Sequence, residues 1–262
     1  MHPILFSFGS IKIFTYGVFL AAAFFLGLEL VRKDLKRDTF DAKIGENFFF
    51  VVLFSSLIGA RLFYVFFNWS EYLQEPLKIF KIWEGGLVFY GGFLFALIAS
   101  LIFACKHKIK FLLLMDIFSP MLILGQAIGR LGCFFAGCCY GKPTTLPWGV
   151  VFPNLETTLA PSGIRLHPTQ IYESIADLVV FFWIYLNRRK KKYDGQVFVN
   201  YVLGYALVRF IVEFFRGDAR GPEFLHLPAT QWMAAGFFLA ALLTGFYLSR
   251  KKTVSDFRRL GN

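Results

Sequence analysis

Seven long apolar segments recur along the chain, and they constrain its fold more than any other feature. They lie at about residues 11–31, 47–68, 86–105, 111–129, 171–187, 196–215 and 230–249. Each approaches the length of about 20 residues that a helix needs to cross a bilayer. Most are apolar on every side rather than amphipathic, as is typical of helices that face lipid. The sequence therefore predicts an all-α integral membrane protein with about seven transmembrane helices.

Composition and charge favour a membrane protein over a soluble core of buried helices. Only 17% of the 262 residues are charged, against about 25% in soluble domains. Eighteen of the 28 lysines and arginines lie at residues 32–43, 106–110, 188–192 and 250–259, after alternate segments. Basic connections that alternate in this way mark the cytoplasmic side. The net charge of +11 is therefore explained by topology, and we expect no nucleic-acid partner.

We expect the N-terminus outside and the C-terminus in the cytoplasm. We expect one polytopic domain over residues 1–262, with an ordered outer connection at about 130–170.

Ionisable residues within apolar segments are costly to insert and are functional candidates by default. Arg61 lies in the second segment, and Arg209 and Glu213 lie in the sixth. Tyr205, Arg209 and Glu213 are spaced by four residues, so they share one helical face. The alternative is structural: Arg209 and Glu213 neutralise each other, and Arg61 is a clamp between helices.

The stretch "GQAIGRLGCFFAGCCYGKPT" at residues 125–144 places Arg130 among glycines at the outer end of the fourth segment. Non-helical backbone at membrane depth is tolerated where it lines a cavity or is buried in protein. A guanidinium binds a phosphate through two parallel hydrogen bonds. Phosphates at this position belong to lipids, so the pattern predicts a lipid-phosphate site.

Two further polar residues have weaker patterns around them. Two Gly-Gly pairs flank Tyr90 at the start of the third segment, although glycine pairs often serve only close helix packing. His167 precedes a proline on the outer connection, where a histidine is more often a turn residue than a catalyst.

Taken together, these segments resemble the prolipoprotein diacylglyceryl transferases of bacterial inner membranes. The resemblance covers nearly the whole chain and rests on six motifs in order. They are "FSFGSIKIFTYG", "GARLFYVFFN", "IWEGGLVFYGG", "GRLGCFFAGCCYGKPT", "HPTQIYE" and "GYALVRFIVEFFR".

The resemblance implies a reaction between two substrates in a multi-pass protein of the bacterial inner membrane. The family transfers the diacylglyceryl group of phosphatidylglycerol to the lipobox cysteine of a preprolipoprotein. A thioether forms and glycerol phosphate leaves, with no metal and no cofactor. The expected partners are phosphatidylglycerol, the lipobox peptide and membrane lipids, at a site facing the outer leaflet or periplasm.

The resemblance also implies roles for individual residues. Arg130, Arg209, Gly141 and Arg61 would bind phosphatidylglycerol, and the arginines Arg130 and Arg209 would stabilise the departing phosphate. The remaining site residues would be Tyr16, Tyr90, His167, Tyr205, Glu213 and Arg216. Tyr90, Glu213 and His167 stay open as the base that deprotonates the substrate thiol.

The chain departs from better-known relatives at three places. Tyr90 stands where they have histidine, and a tyrosine of pKa about 10 is a poor base near neutrality. Cys133 and Cys138 stand where they often have asparagine and glutamate, and Thr230-Gln231 replaces a Gly-Gln pair.

Three cysteines, Cys133, Cys138 and Cys139, allow rival interpretations. A redox enzyme lacks support because no C-x-x-C is present, and a metal site lacks tetrahedral ligand spacing in the sequence. We therefore expect these thiols to fill space, so that alanine at all three lowers stability only modestly. A lipid-binding or transport protein with the same arginines is the non-enzymatic rival; it would form no covalent product.

Overall fold

The computed structural model describes residues 2–8, 11–37, 42–81, 85–154, 158–218 and 223–251. Within these ranges, seven helices have 18 or more residues. They are α1 (Thr15–Arg37), α2 (Ala42–Phe67), α4 (Phe89–Lys106), α5 (Phe111–Ala136), α6 (Thr169–Asn187), α7 (Gln196–Glu213) and α8 (Ala229–Lys251), with a short α3 (Trp69–Gln74) after α2. Every predicted apolar segment coincides with one long helix.

Six of the seven long helices are long and apolar enough to cross a membrane, which confirms the predicted all-α membrane fold. The seventh, α6, has 19 residues, of which Glu173 and Asp177 are completely buried. These two carboxylates lower the mean hydropathy of α6, and α6 is not among the six candidate spans. The orientation of the two termini stays a prediction.

The first apolar segment differs from the prediction at its start. Residues Ile4–Phe8 (β1) and Ile11–Phe14 (β2) form an antiparallel pair of strands, and α1 begins only at Thr15. The apolar residues alternate with polar ones in "FSF" and "IKIF", and this period of two is typical of a strand.

Internal contacts divide the described residues into two compact units, one within residues 1–30 and 115–255 and one within residues 31–114. In the second unit, α2 and α4 pack closely where both carry glycine. A Cβ atom added to Gly91 would lie 2.4 Å from the carbonyl oxygen of Gly59. Small residues at such crossings let helix backbones approach each other, so close helix packing accounts for the glycines at positions 59 and 91.

The first unit has an apolar core between α5, α6 and α7. Its buried members are Ile123, Val180, Phe181, Ile184, Val197, Val208 and Val212. Val208 and Val212 adjoin Arg209 and Glu213 along α7, so the packing of the three helices fixes the positions of these two ionisable residues.

The connection between α5 and α6 folds against the ends of both α6 and α7. Strand Val150–Val151 (β3) pairs with Arg165–Leu166 (β4) over a small core of Phe152, Ala160 and Leu166. The amide of Gly141 donates to the carbonyl of His167 at 3.0 Å, and the amide of Lys142 donates to that of Phe215 at 2.8 Å. The connection is thereby joined to the start of α6 and the end of α7.

Candidate active site

The carboxylate of Glu173 on α6 is the centre of a charged cluster in the first unit. Its side chain has no exposure to solvent. One oxygen, Oε1, lies 2.8 Å from the guanidinium of Arg130, and Oε2 lies 3.6 Å from those of Arg209 and Arg216. Burying a carboxylate is costly unless it is paired, and three arginines from three parts of the chain supply the opposite charge.

Two more carboxylates complete the cluster. Glu213 lies 2.6 Å from Arg209, one helical turn away on α7, and it accepts a hydrogen bond from the hydroxyl of Thr230. Asp218 receives two hydrogen bonds from Arg216, at 3.0 and 2.9 Å. Burial raises the pKa of the Asp218 carboxyl, and the adjacent Arg216 opposes that shift. Three guanidiniums therefore face three carboxylates.

Arg130 is the most accessible arginine of this cluster. Its side chain is 20% exposed, against 11% for Arg209 and 1% for Arg216. A ligand that approaches from outside the protein therefore reaches Arg130 first. An anionic ligand would compete there with Glu173, whose carboxylate lies 2.8 Å from the same guanidinium.

The end of α5 places three thiols beside Arg130. Gly137 has a φ of +68°, and the amides of Cys138 and Gly137 donate to the carbonyls of Cys133 and Phe134, both at 3.2 Å. This pair of hydrogen bonds is the Schellman motif, in which a glycine in the left-handed conformation ends a helix. It turns the chain back over its last helical turn, so Cys138 returns to Cys133.

The sulfur atoms of Cys133, Cys138 and Cys139 all lie within 4.8 Å of one another. All three thiols are free and partly buried. The guanidinium of Arg130 donates to Sγ of Cys139 at 3.7 Å. Hydrogen bonds from the thiols of Cys133 and Cys138, followed by the charges of Arg216 and Arg130, lower the pKa of Cys139.

The first turn of α6 holds the backbone of these cysteines. The hydroxyl of Thr169 donates to the carbonyl of Cys139 at 2.8 Å, and the side-chain amide of Gln170 donates to that of Cys138 at 2.6 Å. Thr169 and Gln170 are both fully buried. The thiol cluster is therefore held by the same helix that carries Glu173.

Other predicted site residues of the first unit surround this cluster. His167 lies 3.1 Å from the hydroxyl of Tyr172, which accepts a hydrogen bond from Trp148 at 2.8 Å. The ring of Tyr16 lies against Gly132 on α5, where an added Cβ would be 3.0 Å from it. Tyr205 stacks on Tyr201, one turn before it on α7.

Gly141 has a packing role in the structure. A Cβ at this position would lie 2.5 Å from both Cβ and the carbonyl oxygen of His167, and 2.8 Å from the carbonyl oxygen of Phe215. Only glycine fits between these two segments. Its contact with phosphatidylglycerol stays a prediction.

Arg61 and Tyr90 belong to the second unit. The guanidinium of Arg61 donates to five backbone carbonyls, and its residue is only 6% exposed. These carbonyls belong to Lys78, Ile79, Lys81, Gly85 and Gly86. These contacts favour the structural alternative for Arg61, because its guanidinium holds the segment after α3 in place. Lipid binding by Arg61 stays a prediction. Tyr90 is exposed at the start of α4; residues 82–84 of its motif lie outside the described ranges.

Sequence reasoning did not include three carboxylates among the site residues. Glu173 is the centre of the cluster, and Asp218 pairs with Arg216. Asp177 is fully buried, and neither of its oxygens is hydrogen-bonded to any described residue. The rule that ionisable residues in a membrane segment are functional candidates applies to Glu173 and Asp177 on α6. It could have identified both.

Comparison with known proteins finds similarity over most of the chain. A family model described as prolipoprotein diacylglyceryl transferase matches residues 3–247. A phosphatidylglycerol–prolipoprotein diacylglyceryl transferase of Clostridium tetani is 38% identical over 221 residues, covering 84% of this chain and 88% of the relative. A protein of the same name from Geobacter sulfurreducens is 35% identical over 268 residues, covering 96% and 97%.

Proposed function

The chain belongs to the prolipoprotein diacylglyceryl transferase family, and from this membership we propose the reaction that it catalyses. The diacylglyceryl group of phosphatidylglycerol is transferred to the thiol of the lipobox cysteine in a preprolipoprotein. A thioether forms and glycerol phosphate leaves. The enzyme is a transferase, and the lipobox peptide is its acceptor substrate.

The arginine cluster around Glu173 is the observation that supports this chemistry best. The phosphate of phosphatidylglycerol binds at Arg130, the most accessible guanidinium. It replaces part of the ion pair that Arg130 forms with Glu173 at 2.8 Å. As the bond between glyceryl carbon and phosphate oxygen breaks, negative charge grows on the phosphate. Arg130, with Arg209 behind it, stabilises that charge in a site of low dielectric constant.

Glu213 serves this site as a positioning residue rather than as the base. Both of its oxygens have partners, Arg209 at 2.6 Å and the hydroxyl of Thr230. It fixes the guanidinium of Arg209 in the direction of Glu173. Tyr16, Tyr205 and His167 line the same unit and contact the substrates. Roles for Tyr90 and Arg61, which belong to the second unit, stay predictions.

The protein is a multi-pass membrane protein, and we place it in the bacterial inner membrane. The site then faces the outer leaflet or periplasm, because the connection 137–168 lies on the side with few basic residues. Positively charged connections remain on the cytoplasmic side.

Mass spectrometry of a lipobox peptide tests the reaction. The purified protein is incubated with phosphatidylglycerol and the peptide, and we expect a peptide heavier by one diacylglyceryl group, together with free glycerol phosphate. A peptide with serine in place of the lipobox cysteine is the control and should stay unmodified. Lipid binding without a covalent product would contradict the proposal and favour a lipid-binding protein.

The topology is tested by labelling single cysteines with a membrane-impermeant maleimide in intact cells. In a background whose native cysteines are alanine, Lys36→Cys and Lys190→Cys should not react, because both lie in predicted cytoplasmic connections. Ser162→Cys, at an exposed position of the outer connection, should react. Labelling at 36 or 190 without permeabilisation would show that the orientation is wrong.

A further inference from the structure

Three thiols meet beside Arg130, although the proposed reaction uses none of them. The sulfur atoms of Cys133, Cys138 and Cys139 lie within 4.8 Å of one another, and all three thiols are free. The nucleophilic sulfur of the reaction comes from the lipobox cysteine, so catalysis does not account for the cluster. Filling space does not require three sulfurs in mutual contact either.

Cys139 has the most acidic thiol of the cluster. The guanidinium of Arg130 donates to its sulfur at 3.7 Å. Hydrogen bonds from the thiols of Cys133 and Cys138, followed by the charges of Arg216 and Arg130, lower its pKa. The neighbouring Cys138 differs, because hydrogen bonds to Cys133 and Cys139, together with burial, raise the pKa of its thiol. The thiolate is the form that reacts with oxidants, so Cys139 is the reactive member of the cluster.

The backbone of Cys139 is an independent observation. Its φ of +61° lies in the left-handed region, which is unfavourable for a residue with a Cβ atom and favours glycine. The hydroxyl of Thr169 supports this conformation, because it donates to the carbonyl of Cys139 at 2.8 Å. Glycine would suit this backbone better than cysteine, which favours a chemical use of the thiol over packing.

Cys133 is the thiol with which Cys139 can form a bond. A bridge between the adjacent Cys138 and Cys139 would need a strained ring. Cys133 lies on the other side of the turn at Gly137, and its sulfur is within 4.8 Å of that of Cys139. Sulfurs at this separation reach bonding distance by rotation of their side chains.

We propose that Cys139 and Cys133 form a site of reversible oxidation, at which a peroxide closes a disulfide that changes the charge beside Arg130. This inference rests on the proposed function, because it assigns a regulation of the phosphate site in that reaction. On the proposed topology the cluster lies on the outer side of the membrane, where disulfides form and persist. The proposal departs from the expectation that these thiols only fill space, and the transfer reaction itself stays free of metal and cofactor.

The oxidation balances in two steps. The thiolate of Cys139 attacks one oxygen of hydrogen peroxide, so that an S–O bond forms and the O–O bond breaks; the hydroxide that leaves takes a proton from solvent. The thiol of Cys133 then attacks the sulfur of the resulting sulfenic acid, an S–S bond forms, and water leaves with the thiol proton. The two sulfurs together lose two electrons, and the peroxide is reduced to two waters. Dithiothreitol reverses the change by thiol–disulfide exchange.

The disulfide removes a negative charge from the surroundings of Arg130. In the reduced protein the thiolate of Cys139 and the carboxylate of Glu173 both contact this guanidinium, at 3.7 and 2.8 Å. Both anions compete with the phosphate of phosphatidylglycerol. A disulfide is neutral, so oxidation removes one of these two competitors. We therefore expect the oxidised protein to bind phosphatidylglycerol more tightly than the reduced protein does.

Mass spectrometry of the full-length protein tests the modification. The reduced protein in detergent is treated with hydrogen peroxide, and we expect it to lose two hydrogen atoms and to show a bridge between Cys133 and Cys139. In Cys133→Ser the bridge cannot close, so Cys139 should keep a sulfenic acid that dimedone traps. Cys105 is the internal control, because it is exposed at the end of α4, away from the other thiols in sequence, and it should stay a free thiol.

The KM for phosphatidylglycerol tests the effect on the phosphate site. Peroxide is removed before the lipobox peptide is added, so that the substrate thiol stays reduced. Oxidised wild-type protein and Cys139→Ser should both show a KM about threefold lower than that of the reduced wild type, the effect expected of one partly exposed ion pair. Dithiothreitol should reverse the change in the wild type and have no effect on Cys139→Ser. Cys105→Ser should respond to peroxide as the wild type does.

The outcomes separate this proposal from the proposed function. Four free thiols after peroxide treatment, in protein that forms the thioether, would overturn the oxidation site and leave the proposed function intact. An unchanged KM in protein whose bridge has been verified would likewise overturn the regulation alone. A protein that closes the bridge but forms no thioether in either redox state would contradict the proposed function itself.

Discussion

Replacement of Arg130 with alanine is expected to lower the rate of lipid transfer by about 100- to 1,000-fold, the usual cost of losing one preorganised electrostatic contact. Arg130 is the most accessible guanidinium of the cluster and the first that a phosphate meets. The fold should persist, because Glu173 keeps Arg209 and Arg216 at 3.6 Å. The measurement is peptide lipidation by protein whose insertion and melting temperature have been checked.

Two further variants show whether the effect depends on the shape of the side chain. Arg130→Lys should restore little activity, because an ammonium is a point charge and cannot form two parallel hydrogen bonds to a phosphate. Arg165→Ala is the control for loss of one positive charge, since Arg165 is exposed on β4; it should transfer lipid normally. Near-normal turnover by the lysine variant would rule out recognition by a paired hydrogen bond.

The membrane fold was predictable from the sequence because apolar length and basic connections act locally. Each long helix lies within about seven residues of a predicted segment, and the largest difference is at the end of α5, which continues through Gly132 to Ala136 instead of ending near residue 129. The length of α6 was predictable, and its two carboxylates were identifiable as candidates, but their partners were not. Glu173 pairs with Arg130, Arg209 and Arg216, which are distant in sequence.

The candidate site was predictable in part for the same reason. The intramembrane arginine and glutamate of α7 were identifiable one by one, and Arg130 was identifiable from its glycines. The shared carboxylate of Glu173 depends on tertiary contacts, whereas the meeting of three thiols depends on the local turn at Gly137. The positions of Cys133, Cys138 and Cys139 in the sequence do not show that their thiols meet, because the contact depends on the Schellman motif at Gly137.

Replacement of Glu173 with glutamine is expected to destabilise the fold by about 3–5 kcal/mol, the cost of breaking a buried ion pair by removing one partner. Glutamine has nearly the same volume, so no cavity is formed. The change leaves the three guanidiniums with Glu213 and Asp218 as their carboxylate partners in ion pairs, and one positive charge is then uncompensated. The melting temperature in detergent should fall. It should fall less for Glu173→Asp, which keeps the charge.

The chain contains a matched control for this effect. Arg32 and Glu46 are also 2.8 Å apart, but their side chains are 37% and 33% exposed, whereas that of Glu173 has no exposure. Water screens the exposed pair, so Glu46→Gln should cost at most about 1 kcal/mol. The two variants remove the same charge at the same shortest distance; the sites differ in burial and in the number of guanidiniums near the carboxylate. Equal losses of stability would show that the charge cluster around Glu173 gains nothing from its burial, and the arginines would then be held in place by packing alone.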